Sequence, residues 1–206
     1  VDAGCFDDID AAFQMHLGAE NNIHVVSLAM DSLQFDFTGK AAHAAAYPHL
    51  GINALDAVQL TFAGINALRQ HMQSDARVHG IVTNGGAAAN IVPESASCQF
   101  YIRAKSRAYL EELTQRIINC AKGAALMTET TFEKKFIDGL SDTISNFALE
   151  RVLYKNYEEL GVPSYTEEEN AFADALAKTY LGNDRVPGVA AGNDEQAKEQ
   201  VIAMQQ

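Results

Sequence analysis

Two periodicities alternate along the middle of this chain, and their order constrains its fold more than any other feature. Within residues 25–37, Phe35 and Phe37 alternate with Gln34 and Asp36, the two-residue repeat of a strand with one buried face. Thr38-Gly39-Lys40 breaks that run. Residues 53–71 switch to a helical repeat, with Leu55, Val58, Phe62, Ile65 and Arg69 on one face at spacings of three and four. A short apolar run at 78–83 ends at Asn84-Gly85-Gly86. Residues 96–102 alternate again, placing Cys98, Phe100 and Ile102 on one side and Gln99, Tyr101 and Arg103 on the other. A second helix is predicted over 109–125, with Leu110, Leu113, Ile117, Ala121 and Ala124 as its buried stripe, and a last strand over 128–136.

The order β-α-β-β-α-β is the split βαβ, or ferredoxin-like, arrangement. It predicts an α+β domain over residues 26–137: a four-stranded antiparallel sheet with two helices on one face. Such a sheet leaves edge strands whose backbone groups need solvent or a partner.

The flanks, residues 1–25 and 138–206, read as parts of a second domain without an evident core of their own. A short strand is expected at 11–15, a helix over 145–160 stopped by Gly161-Val162-Pro163, and an acidic helix over 167–180. From Leu181 onward the sequence is polar and without a strong pattern, and no internal repeat is present. The start at Val1, without Met and without a basic-then-apolar leader, predicts a processed or excised segment.

Charge narrows the function classes. The net charge is −12, carried by the flanks: residues 1–26 hold five acids and no Lys or Arg, and residues 138–206 hold thirteen acids against five bases. The middle, 27–137, is nearly neutral, with nine acids and ten bases. No basic patch suited to nucleic acid is present, and no apolar run reaches the length of a membrane span. Cys5, Cys98 and Cys120 are sparse, odd in number and without CxxC spacing, which predicts free thiols and a cytoplasmic location.

Three groups of residues offer chemistry. In Gly39-Lys40-Ala41-Ala42-His43-Ala44-Ala45-Ala46-Tyr47-Pro48, small residues around His43 let the backbone approach another surface. An imidazole there is either satisfied by local backbone or free to donate to an anion or a carbonyl. In Gly85-Gly86-Ala87-Ala88-Ala89-Asn90-Ile91-Val92-Pro93, the glycines permit unusual backbone angles, and Asn90 offers both donor and acceptor. Thirteen residues after Asn90, Arg103 presents a carboxylate fork or is an ordinary exposed strand residue. His16, ending Phe13-Gln14-Met15-His16, has the chemistry of a zinc ligand but lacks neighbouring co-ligands. His24, His49, His71 and His79 have no ligand spacing.

Taken in order and spacing, GKAAHAAAYPHLGINALDAV, RVHGIVTNGGAAANIVPESA and YIRA resemble the dimerisation, or lid, domain of M20 metallopeptidases and amidohydrolases, in the branch of aminobenzoyl-glutamate hydrolase-type and dipeptidase-like enzymes. The motifs cover residues 39–103, with looser similarity from about Ala3 to about Phe136. The resemblance implies an α/β catalytic domain holding two zinc ions, into which the lid is inserted, and a homodimer formed through the lid. It implies that His43 reaches the partner subunit's active site and polarises the scissile carbonyl. It implies that Asn90 and Arg103 hold substrate, typically at a carboxylate, and that His16 occupies the place of a metal ligand. The implied substrates are small molecules with an amide bond: N-acyl amino acids, dipeptides or related conjugates.

Departures from the family pattern shape the rest of the expectation. The G-H-D-like metal segment, the adjacent Glu-Glu pair that supplies the general base, and the late metal-binding His are not in this sequence, and no His follows His79. Zinc catalysis needs about three protein ligands and a base, so the 206 residues alone are expected to be inactive and not to hold zinc tightly. The competing expectation is a stand-alone, non-catalytic dimerisation or binding module.

Overall fold

A computed structural model describes residues 3–16, 22–161 and 163–181. The chain divides into two compact units, one over Val25–Ser145 and the other made of the described residues up to His24 and from Asn146 onward.

The first unit contains β1 (Ala29–Thr38), α1 (Ala54–Leu68), β2 (Arg77–Asn84), β3 (Ser95–Ala104), α2 (Arg107–Thr128) and β4 (Thr131–Leu140). The strands form one antiparallel sheet in the order β2-β3-β1-β4. This is the ferredoxin-like βαββαβ topology, an α+β fold. Leu33, Phe35 and Phe37 of β1 join Ala96, Cys98, Phe100 and Ile102 of β3 on one sheet face. Val58 and Ile65 of α1 and Leu110, Leu113 and Ile117 of α2 pack into the same core, so both helices cover that face. Phe35 meets Phe100 and Phe132 with ring centroids 5.9 and 5.4 Å apart, at tilted angles that aromatic pairs favour.

Local chemistry sets the helix ends. The Asn53 side chain accepts from the Leu55 N–H at 2.9 Å and starts α1, and Ser106 caps α2 through the Tyr109 N–H. Glu129, at φ 59°, adopts the left-handed conformation that ends α2, and the Thr130 N–H reaches back to the Ala125 carbonyl. The helix therefore continues through Thr128, and the last strand starts at Thr131 rather than at 128. β1 likewise starts at Ala29, later than the apolar letters from Val25 suggested.

A partly buried ion pair anchors α2 to β1. Asp31, 2% exposed, accepts from Arg107 at 2.7 Å and from the Thr114 hydroxyl at 2.8 Å. On the face away from the helices, Asp36 accepts from Ser97 and Gln34 and faces the Lys135 ammonium at 2.7 Å.

In the second unit, α3 (Phe147–Leu160) is capped by Asn146 and stopped at Gly161. α4 (Glu167–Leu181) opens with a capping box in which Thr166 and Glu169 bond reciprocally. His24 lies 3.3 Å from Glu150 and stacks on Phe147. The strand expected at 11–15 is absent: residues 11–16 are exposed and make no ladder, because five apolar-rich letters without a pairing partner do not hold strand geometry. The segment from residue 182 lies outside the described residues.

Candidate functional site

Backbone hydrogen bonds join segments far apart in sequence into one platform beyond the end of the sheet. Lys40 and Ile52 exchange both backbone hydrogen bonds, at 2.8 and 2.9 Å. The Gly39 N–H donates to the Glu94 carbonyl, and the Val92 N–H to the Ala42 carbonyl. The Ala44 N–H donates to the Asn90 carbonyl at 3.0 Å, and His43 forms an isolated antiparallel bridge with Ile91. His43 and Asn90 thus sit on adjacent backbone strands.

Two glycines permit close approaches within the platform. A Cβ on Gly39 would lie 2.1 Å from the Ile52 carbonyl oxygen, so only glycine fits. Gly86, at φ +105°, turns the chain beside Pro93, where a Cβ would meet the ring at 2.9 Å. Gly39 thus lets the end of β1 close on Ile52, and Gly86 lets its turn close on Pro93.

His43 is exposed, and its Nδ1 accepts from the backbone N–H groups of Ala45 and Ala46 at 3.3 and 3.2 Å. Asn90 is exposed, and its side chain makes no hydrogen bond among the described residues. A shallow concavity lined by Leu55, Gly86, Ala88, Ile91 and Pro93 flanks it.

Arg103 lies elsewhere. It is exposed near the C-terminal end of β3, eight residues beyond Ser95, which puts about 26 Å of strand between it and the platform end. Its direct cross-strand neighbours are Arg77 on β2 and Met30 on β1. Arg77 donates to the carbonyls of Ser74 and Ala76, whereas Arg103 has no hydrogen bond or ion pair among the described residues. Arg77 and Arg103 are thus like charges placed opposite each other across the β2–β3 pair. The unit's chain ends emerge here too, since Met30 pairs with Leu140 and Ser27 bonds Thr143.

His16 is exposed in the second unit, on a segment without regular structure. Among the described residues no group of three His, Cys, Asp or Glu side chains is placed to hold a metal ion. The described residues by themselves therefore do not make up a metal centre.

The buried thiol of Cys98 carries no reactive signature. Burial, with the Asp36 charge adding to it, pushes Cys98 up to about 12, so it is a core filler. The Asp31–Arg107–Thr114 cluster escaped sequence reasoning because its members lie 76 and 83 residues apart with no spacing signal. No helix among the described residues is long and apolar enough to cross a membrane.

Comparison with known proteins places the platform and sheet in context. Residues 29–129 match the M20-type peptidase dimerisation domain. The chain is 39% identical over 203 residues to a p-aminobenzoyl-glutamate hydrolase component of Escherichia coli, covering 96% of this chain and 42% of that protein. It is 34% identical over 192 residues to the Xaa-Arg dipeptidase of Mus musculus, covering 92% of this chain and 44% of that protein. Among solved structures, an aminobenzoyl-glutamate utilization protein from Klebsiella pneumoniae superposes with a TM-score of 0.65 at 26% identity, over 78% of this chain and 42% of that one. The chain therefore spans less than half the length of these relatives.

Proposed function

The chain belongs to the M20 peptidase family, whose dimerisation domain it carries at residues 29–129, and on that basis we propose that it forms part of a zinc-dependent amidohydrolase. The substrates are small molecules with an amide bond: N-acyl amino acids, dipeptides or related conjugates. Relatives named for hydrolysis of p-aminobenzoyl-glutamate and of Xaa-Arg dipeptides support this class. The free thiols fit a cytoplasmic enzyme.

In this reading residues 26–137 are the lid, and the flanks 1–25 and 138–206 belong to the catalytic domain. The lid forms a two-fold homodimer. His43 donates to the substrate carbonyl as negative charge develops on its oxygen, Asn90 helps hold the substrate, and Arg103 takes its carboxylate. His16 is a metal ligand, and because the G-H-D-like segment, the adjacent Glu-Glu pair and the late His are not in this sequence, the 206 residues alone do not hydrolyse substrate.

One observation carries the division of labour. Arg103 lies at the end of the sheet where the polypeptide enters and leaves the unit, while His43 and Asn90 lie at the opposite end. About 26 Å of strand exceeds the reach of one small substrate. In this reading Arg103 serves the active site of its own subunit, and His43, with Asn90 beside it, serves the site of the partner.

The test is hydrolysis by the complete gene product of a panel of N-acyl amino acids and dipeptides, with carboxyl-methylated versions in parallel. Cleavage of the free acids, strongly reduced for the methyl esters and in Arg103→Ala, supports the reading. Indifference to both the carboxylate and Arg103 would contradict it.

A further inference from the structure

The hydrogen bonds received by His43 define more than its position. Residues 43–47 form a single helical turn, closed by the Tyr47 N–H donating to the His43 carbonyl at 3.0 Å. His43 stands at the N-cap of that turn. Its Nδ1 accepts from the N–H groups of Ala45 and Ala46, two and three residues ahead, as the oxygen of an Asp or Ser cap does. A ring nitrogen that accepts presents its lone pair and carries no proton. The neutral imidazole then has its proton on Nε2, the ring nitrogen away from the turn.

We infer that the Ala45 and Ala46 amides are positioning groups that hold His43 as the Nε2–H tautomer, so that it offers the substrate a fixed hydrogen-bond donor and not a base. The turn is itself held by the neighbouring strand, since Ala42 and Ala44 both bond the Asn90–Val92 segment. A neutral ring in this tautomer donates from Nε2 to a carbonyl oxygen or an oxyanion, and it has no lone pair there with which to abstract a proton. The role of His43 as a substrate contact rests on the function proposed above. Its tautomer does not, and is measurable in the 206-residue chain without any activity.

The experiment is long-range proton–nitrogen correlation NMR on histidine-labelled chain above the titration range of its imidazoles, with His43→Ala to assign the signal. The expected pattern has a protonated Nε2 and an unprotonated Nδ1. A proton on Nδ1, or an averaged pair of tautomers, would overturn the inference. Amide exchange gives a second readout. His43→Ala should speed exchange at Ala45 and Ala46 by about fivefold, the worth of an N-cap of roughly 1 kcal/mol. His43→Asn should keep their protection, because its Oδ1 can accept the same two bonds. Equal acceleration in both variants, or none in His43→Ala, would also overturn it. In the complete protein His43→Asn should be as impaired as His43→Ala, since it caps the turn but has lost the outward donor. Full activity in both variants would remove the proposed substrate contact while leaving the tautomer standing, so the two failures are distinguishable.

Discussion

The Ala44 N–H donates to the carbonyl of Asn90 across 3.0 Å, and this contact makes one surface of two motifs that the sequence keeps 46 residues apart. His43 lies next to one end of the bond and the Asn90 side chain at the other. The His43 Nδ1 accepts from the Ala45 and Ala46 amides, and the Asn90 side chain makes no hydrogen bond among the described residues.

The platform depends on a glycine. Gly39→Ala would press a methyl group against the Ile52 carbonyl, which sits 2.1 Å from the Cβ position. Either the Lys40–Ile52 bridge opens or the strand end shifts, at a cost of about 1–3 kcal/mol. Gly85→Ala is the control, since nothing lies within 4 Å of its Cβ position. Urea unfolding should separate the two variants, with Gly39→Ala clearly weaker and Gly85→Ala close to the parent. Equal stability of both would show that the close approach is not made.

Acid should weaken the sheet through Asp36. Burial raises the proton affinity of this carboxyl, but the Lys135 ammonium 2.7 Å away and hydrogen bonds from Ser97 and Gln34 outweigh it and hold the group below its ordinary 3.8. A carboxyl whose pKa is lowered on folding adds stability that is present above the unfolded value and lost as pH falls through the folded one. Asp36→Asn should therefore cost stability at neutral pH and flatten the fall of stability below about pH 4. Chemical unfolding at a series of pH values checks this, and an unchanged acid slope in the variant would exclude Asp36 as a source of it.

Metal affinity should be modest in these 206 residues. No described cluster of three ligand side chains exists, and His16 stands on an irregular segment. Zinc titration by calorimetry should show weak binding of the kind scattered histidines give. Tight, stoichiometric binding by ligands within one chain would place a metal centre inside these residues and refute the expectation.

Much of the fold was legible because alternation and helical repeats are local signals. Phe35, Phe37, Phe100 and Ile102 face the core as their spacing predicts, and so does the Leu110–Leu113–Ile117 stripe. Arg69, grouped by spacing on one face with Leu55, Val58, Phe62 and Ile65, is exposed just beyond α1, while Thr61 is buried and bonds its hydroxyl to the Ala57 carbonyl. Propensity misjudged the strand at 11–15, where no neighbour among the described residues supplies a ladder. For the site, the sequence singled out His43, Asn90 and Arg103 but not their arrangement. Whether two motifs meet depends on the strand order β2-β3-β1-β4 and on bonds such as Ala44 to Asn90, which no spacing encodes. The separation of Arg103 from the other two became visible only with the register of β3 against β1.

That separation sets the most direct test: mixing subunits of the complete protein that carry His43→Ala with subunits that carry Arg103→Ala. Each variant alone should be depressed by roughly a hundredfold or more, as for loss of one donor to a developing oxyanion or of a carboxylate clamp. If His43 serves the partner's site and Arg103 its own, a mixed dimer has one site with both defects and one site with neither. Random exchange between equal amounts should then restore about a quarter of parental activity, since half the dimers are mixed and each has one working site. If both residues serve the same subunit's site, every site in every dimer keeps one defect. An activity that stays at the level of the single variants, with subunit exchange verified, would contradict the division of labour between His43 and Arg103.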